Sequence, residues 1–400
     1  MNLKKYLKKV NQEHLLTFYN EINLKEKIIL RKDIKKINFN KMNLLYKNSF
    51  FDEFIDMKKV SNLKCIHDLS EEEYNKYYKI GEQLVKNGEY AIVIMAGGKA
   101  SRLGKEGPKG CVTLNIKNKE ISLFEIFINQ LIEIYKKYGV YIDLYIMTSS
   151  YNNDMTIDFF NKNNYFNYPK EKIKFFKQHD LPILDINGKI LLKNKYSVVW
   201  GSNGNGDVFN SLKRNNLINN MKKKNIKYIL FSTVDNVLSN LIDFSFIGSC
   251  VEKGYDISTK TLLKDDENSK NWVFCKYKNK PYMLPSNYIN KDITNLKGND
   301  GDYLYRDTNI TYHMISLNCV EKFSKIHLKY HRAYKKNNYM DLDGKYIKAQ
   351  SPNSFKFEKF IFDAFFYSDN MLLYRINNNE FFSIKKDEDI KKAEKIINKI

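Results

Sequence analysis

A glycine-rich turn between an apolar run and an amphipathic segment constrains this chain more than any other feature. Ala91-Ile92-Val93-Ile94 leads into Met95-Ala96-Gly97-Gly98-Lys99-Ala100-Ser101-Arg102-Leu103-Gly104, then Gly107-Pro108-Lys109-Gly110. A segment opened by Ser122 follows, so the order reads strand, loop, helix. Five of the 17 glycines fall in this loop. Glycine lets main-chain N–H groups approach a phosphate closely, and Arg102 and Lys109 carry the charge to neutralise it. Open α/β sheets place ligands at the carboxyl ends of their strands, where this loop falls. Its spacing matches neither G-x-x-x-x-G-K-[ST] nor G-x-G-x-x-G.

Strand and helix signals then alternate. Ser122-Leu123-Phe124-Glu125 forms a capping box, and Phe124, Phe127, Ile128, Leu131, Ile134 and Tyr135 recur at helical spacing. Strands are expected at Leu144–Thr148, at Lys172–Phe176 with Gln178 just beyond, and at Tyr228–Ser232 with Asp235-Asn236 at its end. Asn187-Gly188 marks a hairpin between Ile183 and Leu192. This alternation implies an α/β protein with a mainly parallel central sheet, helices on both faces and right-handed crossovers. Residues 1–88 read as a polar helical N-terminal region, in which Ser70-Glu71-Glu72-Glu73 opens a helix with an acidic first turn. Residues 89–330 read as the central domain and 331–400 as a small C-terminal lobe. Asn309–Met314 is expected to be a strand, Lys356–Phe366 an apolar, aromatic helix, and Asp387–Ile400 a closing helix.

Composition narrows the function classes. Hydrophobic residues make up 43% of the 400, with 26 Phe and 29 Tyr, which excludes disorder. No apolar run approaches the ~20 residues of a spanning helix, and the basic N-terminus, Met1-Asn2-Leu3-Lys4-Lys5, lacks the apolar stretch of a signal peptide. A cytoplasmic protein is expected. Cys65, Cys111, Cys250, Cys275 and Cys319 are odd in number and widely spaced, which argues against a disulfide framework or zinc site. The net charge of +21 leaves nucleic-acid binding as a third and least expected class, since the dispersed lysines, within an abundance of Asn, Lys, Ile and Tyr, suggest a general bias more than a designed patch.

No Ser/His/Asp or Cys/His arrangement for nucleophilic catalysis is visible. Asp235 instead offers a carboxylate at a strand end, where one such group can hold Mg²⁺. Further polar motifs follow in order. They are Gln178-His179-Asp180-Leu181-Pro182, Gly204-Asn205-Gly206 after Val198-Val199-Trp200, Asn309-Ile310-Thr311-Tyr312-His313, His331-Arg332-Ala333-Tyr334-Lys335-Lys336, the run from Pro352 to Asp363, and Glu380-Phe381-Phe382-Ser383-Ile384-Lys385.

Together with the glycine loop, these resemble the motifs of the UDP-sugar pyrophosphorylase family (UDPGP type 1), closest to its UDP-N-acetylglucosamine and UDP-N-acetylhexosamine branch. The likeness spans roughly residues 70 to 390. It implies a Rossmann-like, GT-A-type nucleotidyltransferase that joins UTP to a hexose-1-phosphate with Mg²⁺. N-acetylglucosamine-1-phosphate is the first expectation and glucose-1-phosphate the second. By resemblance, Met95, Ala96, Gly97, Gly98, Lys109, Gln178, Gly204, Asp235 and Lys356 meet the nucleotide, with Gln178 reading the uracil edge. Asn205 and Asn309 meet the sugar, Asp235 the metal, and Arg102, Lys109 and Lys385 serve catalysis. The chain departs from the family pattern at Ala100, Ser202 and Asp207, where a glycine, a proline and a glycine are usual. Near Asn271-Trp272-Val273-Phe274 the usual small glycine is missing, and in Tyr282–Asn287 Leu284 and Pro285 replace a sugar-contacting glutamate and tyrosine. These departures keep open a second class, a catalytically weak UDP-sugar-binding regulator.

Overall fold

Two units with separate cores make up the protein, whose structure, a computed structural model, describes residues 3–48, 54–263, 272–285, 288, 293, 295–298, 301 and 303–399. The smaller comprises residues 1–55, 179–207 and 328–360; the larger comprises 56–178, 208–327 and 361–400. The chain passes from one to the other at 55/56, 178/179, 207/208, 327/328 and 360/361, whereas the sequence suggested boundaries near 88 and 330.

In chain order, the larger unit contains β1 (Cys65–Ile66), α1 (Glu71–Lys86), β2 (Tyr90–Met95), α2 (Leu123–Tyr138), β3 (Asp143–Thr148), β4 (Ile173–Lys177), β5 (Tyr228–Thr233), α3 (Phe244–Glu252), β6 (Ile257–Leu263), β7 (Asp307–Ser316) and β8 (Met371–Arg375). Its sheet runs β1-β8-β6-β7-β5-β2-β3-β4. All neighbours are parallel except β7, which is antiparallel to both β5 and β6. A hairpin of Val273–Tyr277 and Lys280–Leu284 flanks β7. The expectation of a mainly parallel sheet is met, and its cause is visible in the burial. Every residue of β2 and β3 is buried, as both faces of a covered parallel strand should be. Register pairs Thr233 with Met95, Met95 with Met147, and Met147 with Phe176, so four carboxyl ends align along one edge.

The helix starts follow the sequence. Ser70 and Ser122 each accept from the N–H three residues on, while Glu73 and Glu125 reach back to complete capping boxes. Helices α1 and α3 pack at close range because Gly81 and Gly248 lie at their contact, where a Cβ would strike Phe244 O and Tyr77 O. Among the described residues, no helix is long and apolar enough to cross a membrane.

The smaller unit is helical at its start, over Leu3–Lys9, Leu24–Lys36 and Phe39–Asn48, as expected. These helices share a core with Leu184, Leu192, Val198, Phe355 and Phe357. The Asn187-Gly188 turn forms, with Gly188 at φ 79° and Asp185 Oδ1 accepting from the N–H groups of Asn187 and Lys189, each at 2.8 Å.

The helix expected over Lys356–Phe366 does not form. Ser354–Glu358 is a strand paired with His331–Lys335 and Leu184–Asp185, and a 3₁₀ segment, Ile361–Tyr367, follows. The alternation of Phe355 and Phe357 into the core is a period of two, which decides for strand. The closing helix does form, over Glu388–Ile397; Ile400 lies outside the described residues.

Phe124, the second residue of α2, is fully buried and packs edge-on against Phe160 with ring centroids 5.0 Å apart. Phe124→Ala should lower the unfolding free energy by about 3–5 kcal/mol in a urea titration.

Candidate active site

The glycine loop leaves β2 and folds back on itself. Lys99 and Pro108 form an antiparallel bridge, the Ala100 N–H donates to Gly107 O at 3.0 Å, and the Lys109 N–H donates to Gly98 O at 3.3 Å. Two glycines are required by close approach. A Cβ on Gly97 would collide with Nε2 of the buried Gln178, and one on Gly110 with the ring of Phe124. Gln178 is itself fixed by its N–H donating to Thr148 O at 2.9 Å, one residue past β4. Ala100 is fully buried in the apolar core of the larger unit, so its methyl group is absorbed by packing.

Lys109 and Asp235 meet at the same edge. Lys109 Nζ lies 2.9 Å from Asp235 Oδ2, which also accepts from Ser383 Oγ at 3.2 Å. The strand-end loop carrying Asp235 is bound to the C-terminal segment through Ile384 N–H to Asp235 O at 3.0 Å and Val237 N–H to Phe382 O at 3.1 Å. Burial pushes the Asp235 carboxyl up, but the Lys109 charge and hydrogen bond, with the Thr233 hydroxyl, outweigh it and hold the group below its ordinary value. Among the described residues, no three His, Cys, Asp or Glu side chains gather as a metal cage. Asp235 with the Ser383 hydroxyl is a set of hard oxygen donors. That set suits Mg²⁺, which keeps waters and takes further oxygens from a substrate phosphate.

Arg102 is exposed on the turn Ala100–Leu103, and Lys385 is exposed two residues beyond Ser383. Asn309 sits where β7 departs from regular pairing. Thr259 pairs with His313 and Thr261 with Asn309, so three residues of β7 oppose one of β6. Thr311 lies in this bulge at φ 57°, a costly conformation for a β-branched residue, and its N–H donates to Asn309 Oδ1 at 2.6 Å. Leu284 is fully buried at a strand end paired with Val273, so no polar group replaces the expected glutamate there. Asn271, Ser286 and Asn287 lie outside the described residues.

Within the smaller unit, Lys356 Nζ lies 3.2 Å from Ser202 Oγ and 2.8 Å from Glu358 Oε1, which brings Lys356 beside the loop of Gly204 and Asn205. Gly204 has φ 91°, and a Cβ there would strike Lys359 O. The buried Asp207 accepts from the His179 N–H at 2.8 Å and lies 3.9 Å from Lys359 Nζ, a structural role for the residue replacing glycine. Sequence reasoning missed Asn152 and Ser149, which contact the glycine loop or each other. Their signal was a polar cluster, Ser149 to Asn153, at the end of β3.

A glycine loop, a lysine and a metal-suited carboxylate converge on the carboxyl edge between β2 and β5, where the strand order reverses. That is the place where open α/β sheets hold their ligands. A family profile described as UTP–glucose-1-phosphate uridylyltransferase matches residues 34–394, and the chain belongs to that family of nucleotidyltransferases. It is 31% identical over 395 residues to a Dictyostelium discoideum protein named "Probable UDP-N-acetylglucosamine pyrophosphorylase", covering 93% of this chain and 80% of that one. It is 34% identical over 299 residues to the UDP-N-acetylglucosamine pyrophosphorylase of Saccharomyces cerevisiae, covering 73% of this chain and 62% of that one. In fold it is similar to the crystal structure of the uridine diphosphate N-acetylglucosamine pyrophosphorylase of Trypanosoma brucei, with a TM-score of 0.79 at 22% identity over 97% of this chain and 83% of that one.

Lys109→Met should remove the charge that lowers the Asp235 carboxyl and leave burial to raise it. In the native protein the lowered value stabilises the fold above the ordinary carboxylate range and loses that contribution as pH falls through it. The variant should therefore be less stable at pH 7.5 by about 2 kcal/mol. The gap should close as acid protonates Asp235 in both proteins, and urea titrations at several pH values check it.

Proposed function

We propose that this protein transfers a uridylyl group from UTP to N-acetylglucosamine-1-phosphate and releases pyrophosphate. The observation that carries the reading is the Lys109–Asp235 pair on the sheet edge that also holds Gly97 against Gln178. The sugar-phosphate oxygen attacks the α-phosphorus, and the bond to the pyrophosphate leaving group breaks in line. Both oxygens are already anionic or become so, so positioning and charge stabilisation are what the protein must supply.

Arg102 and Lys109 grip the triphosphate, and Lys385 balances the charge that develops. Gln178 and the main chain of Met95-Ala96-Gly97-Gly98 select uracil, since an amide both donates and accepts. Asn309 takes the sugar-side role in the larger unit; Gly204, Asn205 and Lys356 take the roles that the resemblance gives them in the smaller. Asp235, with Ser383 beside it, would hold Mg²⁺, which when bound neutralises charge at the α-phosphate. The finer fold class, a Rossmann-like GT-A-type nucleotidyltransferase, and a cytoplasmic setting belong to this same reading.

Two observations bear on the choice of sugar. The matched relatives carry N-acetylglucosamine in their names. Leu284 removes a carboxylate from the sugar side, which favours glucose-1-phosphate as the second reading and keeps weak catalysis in play. The burial of Ala100 removes one of the grounds for a non-catalytic binder. Initial rates with UTP, Mg²⁺ and a panel of hexose-1-phosphates, read by pyrophosphate release, decide between them. The highest kcat/KM is expected with N-acetylglucosamine-1-phosphate, falling about a hundredfold or more in Lys109→Ala. Absence of product with every hexose phosphate would refute the assignment.

A further inference from the structure

Asn152 follows β3 and immediately precedes the helix Asn153–Lys162. An asparagine in that place ordinarily caps the helix by accepting from its first N–H groups. Here the side chain makes no capping bond. Its Nδ2 instead donates to Ala96 O at 2.8 Å and to Gly98 O at 3.2 Å. Its Oδ1 accepts from the Ser149 N–H at 2.8 Å and from Ser149 Oγ at 3.0 Å. Asn152 is fully buried, and both donors and both lone pairs of its amide are in use.

The two carbonyls it binds bracket Gly97. In a planar trans peptide, a carbonyl and the following N–H point in opposite directions, so pinning Ala96 O and Gly98 O turns the N–H groups of Gly97 and Lys99 away from Asn152. Glycine has the widest conformational freedom of any residue, and a Cβ on Gly98 would meet nothing within 4 Å. Side-chain packing therefore does not fix Gly98; its carbonyl is held by the Asn152 amide from the β3 side and by the Lys109 N–H from within the loop. The same two bonds hold Gly97 where its backbone fits against Gln178.

We propose that Asn152 is the positioning residue of the nucleotide site. It holds the Ala96–Lys99 main chain in the conformation that receives the nucleotide, at the expense of its own helix cap. The inference rests on the uridylyl-transfer reading for the identity of the ligand, but not for the rigidity of the loop.

Asn152→Asp is nearly isosteric and sets one carboxylate oxygen, in the place of Nδ2, against the two carbonyls, while the other still accepts from Ser149. UTP affinity in the presence of Mg²⁺, measured by calorimetry at pH 8, should fall at least about tenfold. The KM for the sugar phosphate should stay within about twofold, because the lost bonds lie on the nucleotide side. A protonated aspartic acid regains one O–H donor, so the UTP defect should shrink as pH is lowered toward 6, while the native asparagine does not titrate. Amide exchange across Gly97–Lys99 should accelerate about tenfold with β7 unchanged.

Native UTP affinity in the variant at pH 8, or a defect that ignores pH and falls equally on the sugar phosphate, overturns the proposal. If the native protein binds no UTP, the functional reading fails instead, and unchanged exchange at Gly97–Lys99 would then sink the positioning role separately. Should Asn152→Asp fail to fold, Ser149→Ala removes one bond to Oδ1. It should weaken UTP binding about threefold, and no weakening overturns the proposal.

Discussion

The hydrogen-bond register of β2 with β5 on one side and β3 on the other is the constraint from which the site follows. All six buried residues of β2 pair in step with β5 and five of them, Ala91–Met95, with β3, so the chain must emerge from the sheet at Met95, level with Thr233 and Met147. A slip of one residue would turn every side chain of β2 to the opposite face. With the register fixed, Gly97, Gln178, Asp235 and Asn309 come from four different strand ends yet share an edge. Side chains then refine what the ladder has already placed, as the Lys109–Asp235 pair and the Asn152 amide do.

Much of this was legible before any coordinates. The strand-loop-helix order around Gly97, both serine capping boxes and the strands ending at Gln178 and Asp235 are local signals, and local physics honours them. Lys356–Phe366 misled because its aromatic residues satisfy either period. Pairing with His331–Lys335, a partner some twenty residues away, settles its start, through Glu358, as a strand, and one sequence cannot display that partner. Asn152 escaped notice for a related reason. Beside a helix an asparagine reads as a cap, and only the spatial return of Ala96 and Gly98 reveals its other use. The two compact units were hidden because each is assembled from three separate stretches of the chain.

The departures from the family pattern divide into those that packing absorbs and one that it does not. Ala100 adds a methyl group to an apolar core, and Asp207 finds the His179 N–H and the Lys359 ammonium. Leu284 has no such compensation, because it is sealed in the hairpin beside β7 and brings no polar group of its own. Of these departures, the buried Leu284 is the one for which the structure shows no polar replacement.

The glycine contact between α1 and α3 reaches further than helix packing. Asp243 caps α3 and pairs with Lys260 Nζ at 2.6 Å, while Tyr312 and Tyr90 hold the Asn240 and Leu241 carbonyls just ahead of it. The segment that begins at Asp235 is thus tethered at its far end to a helix whose depth is set by two hydrogen-sized side chains. Evolution at Gly81 or Gly248 is therefore confined: any bulkier residue would lift α3, and the lift would be transmitted along that tether to the carboxylate at the other end.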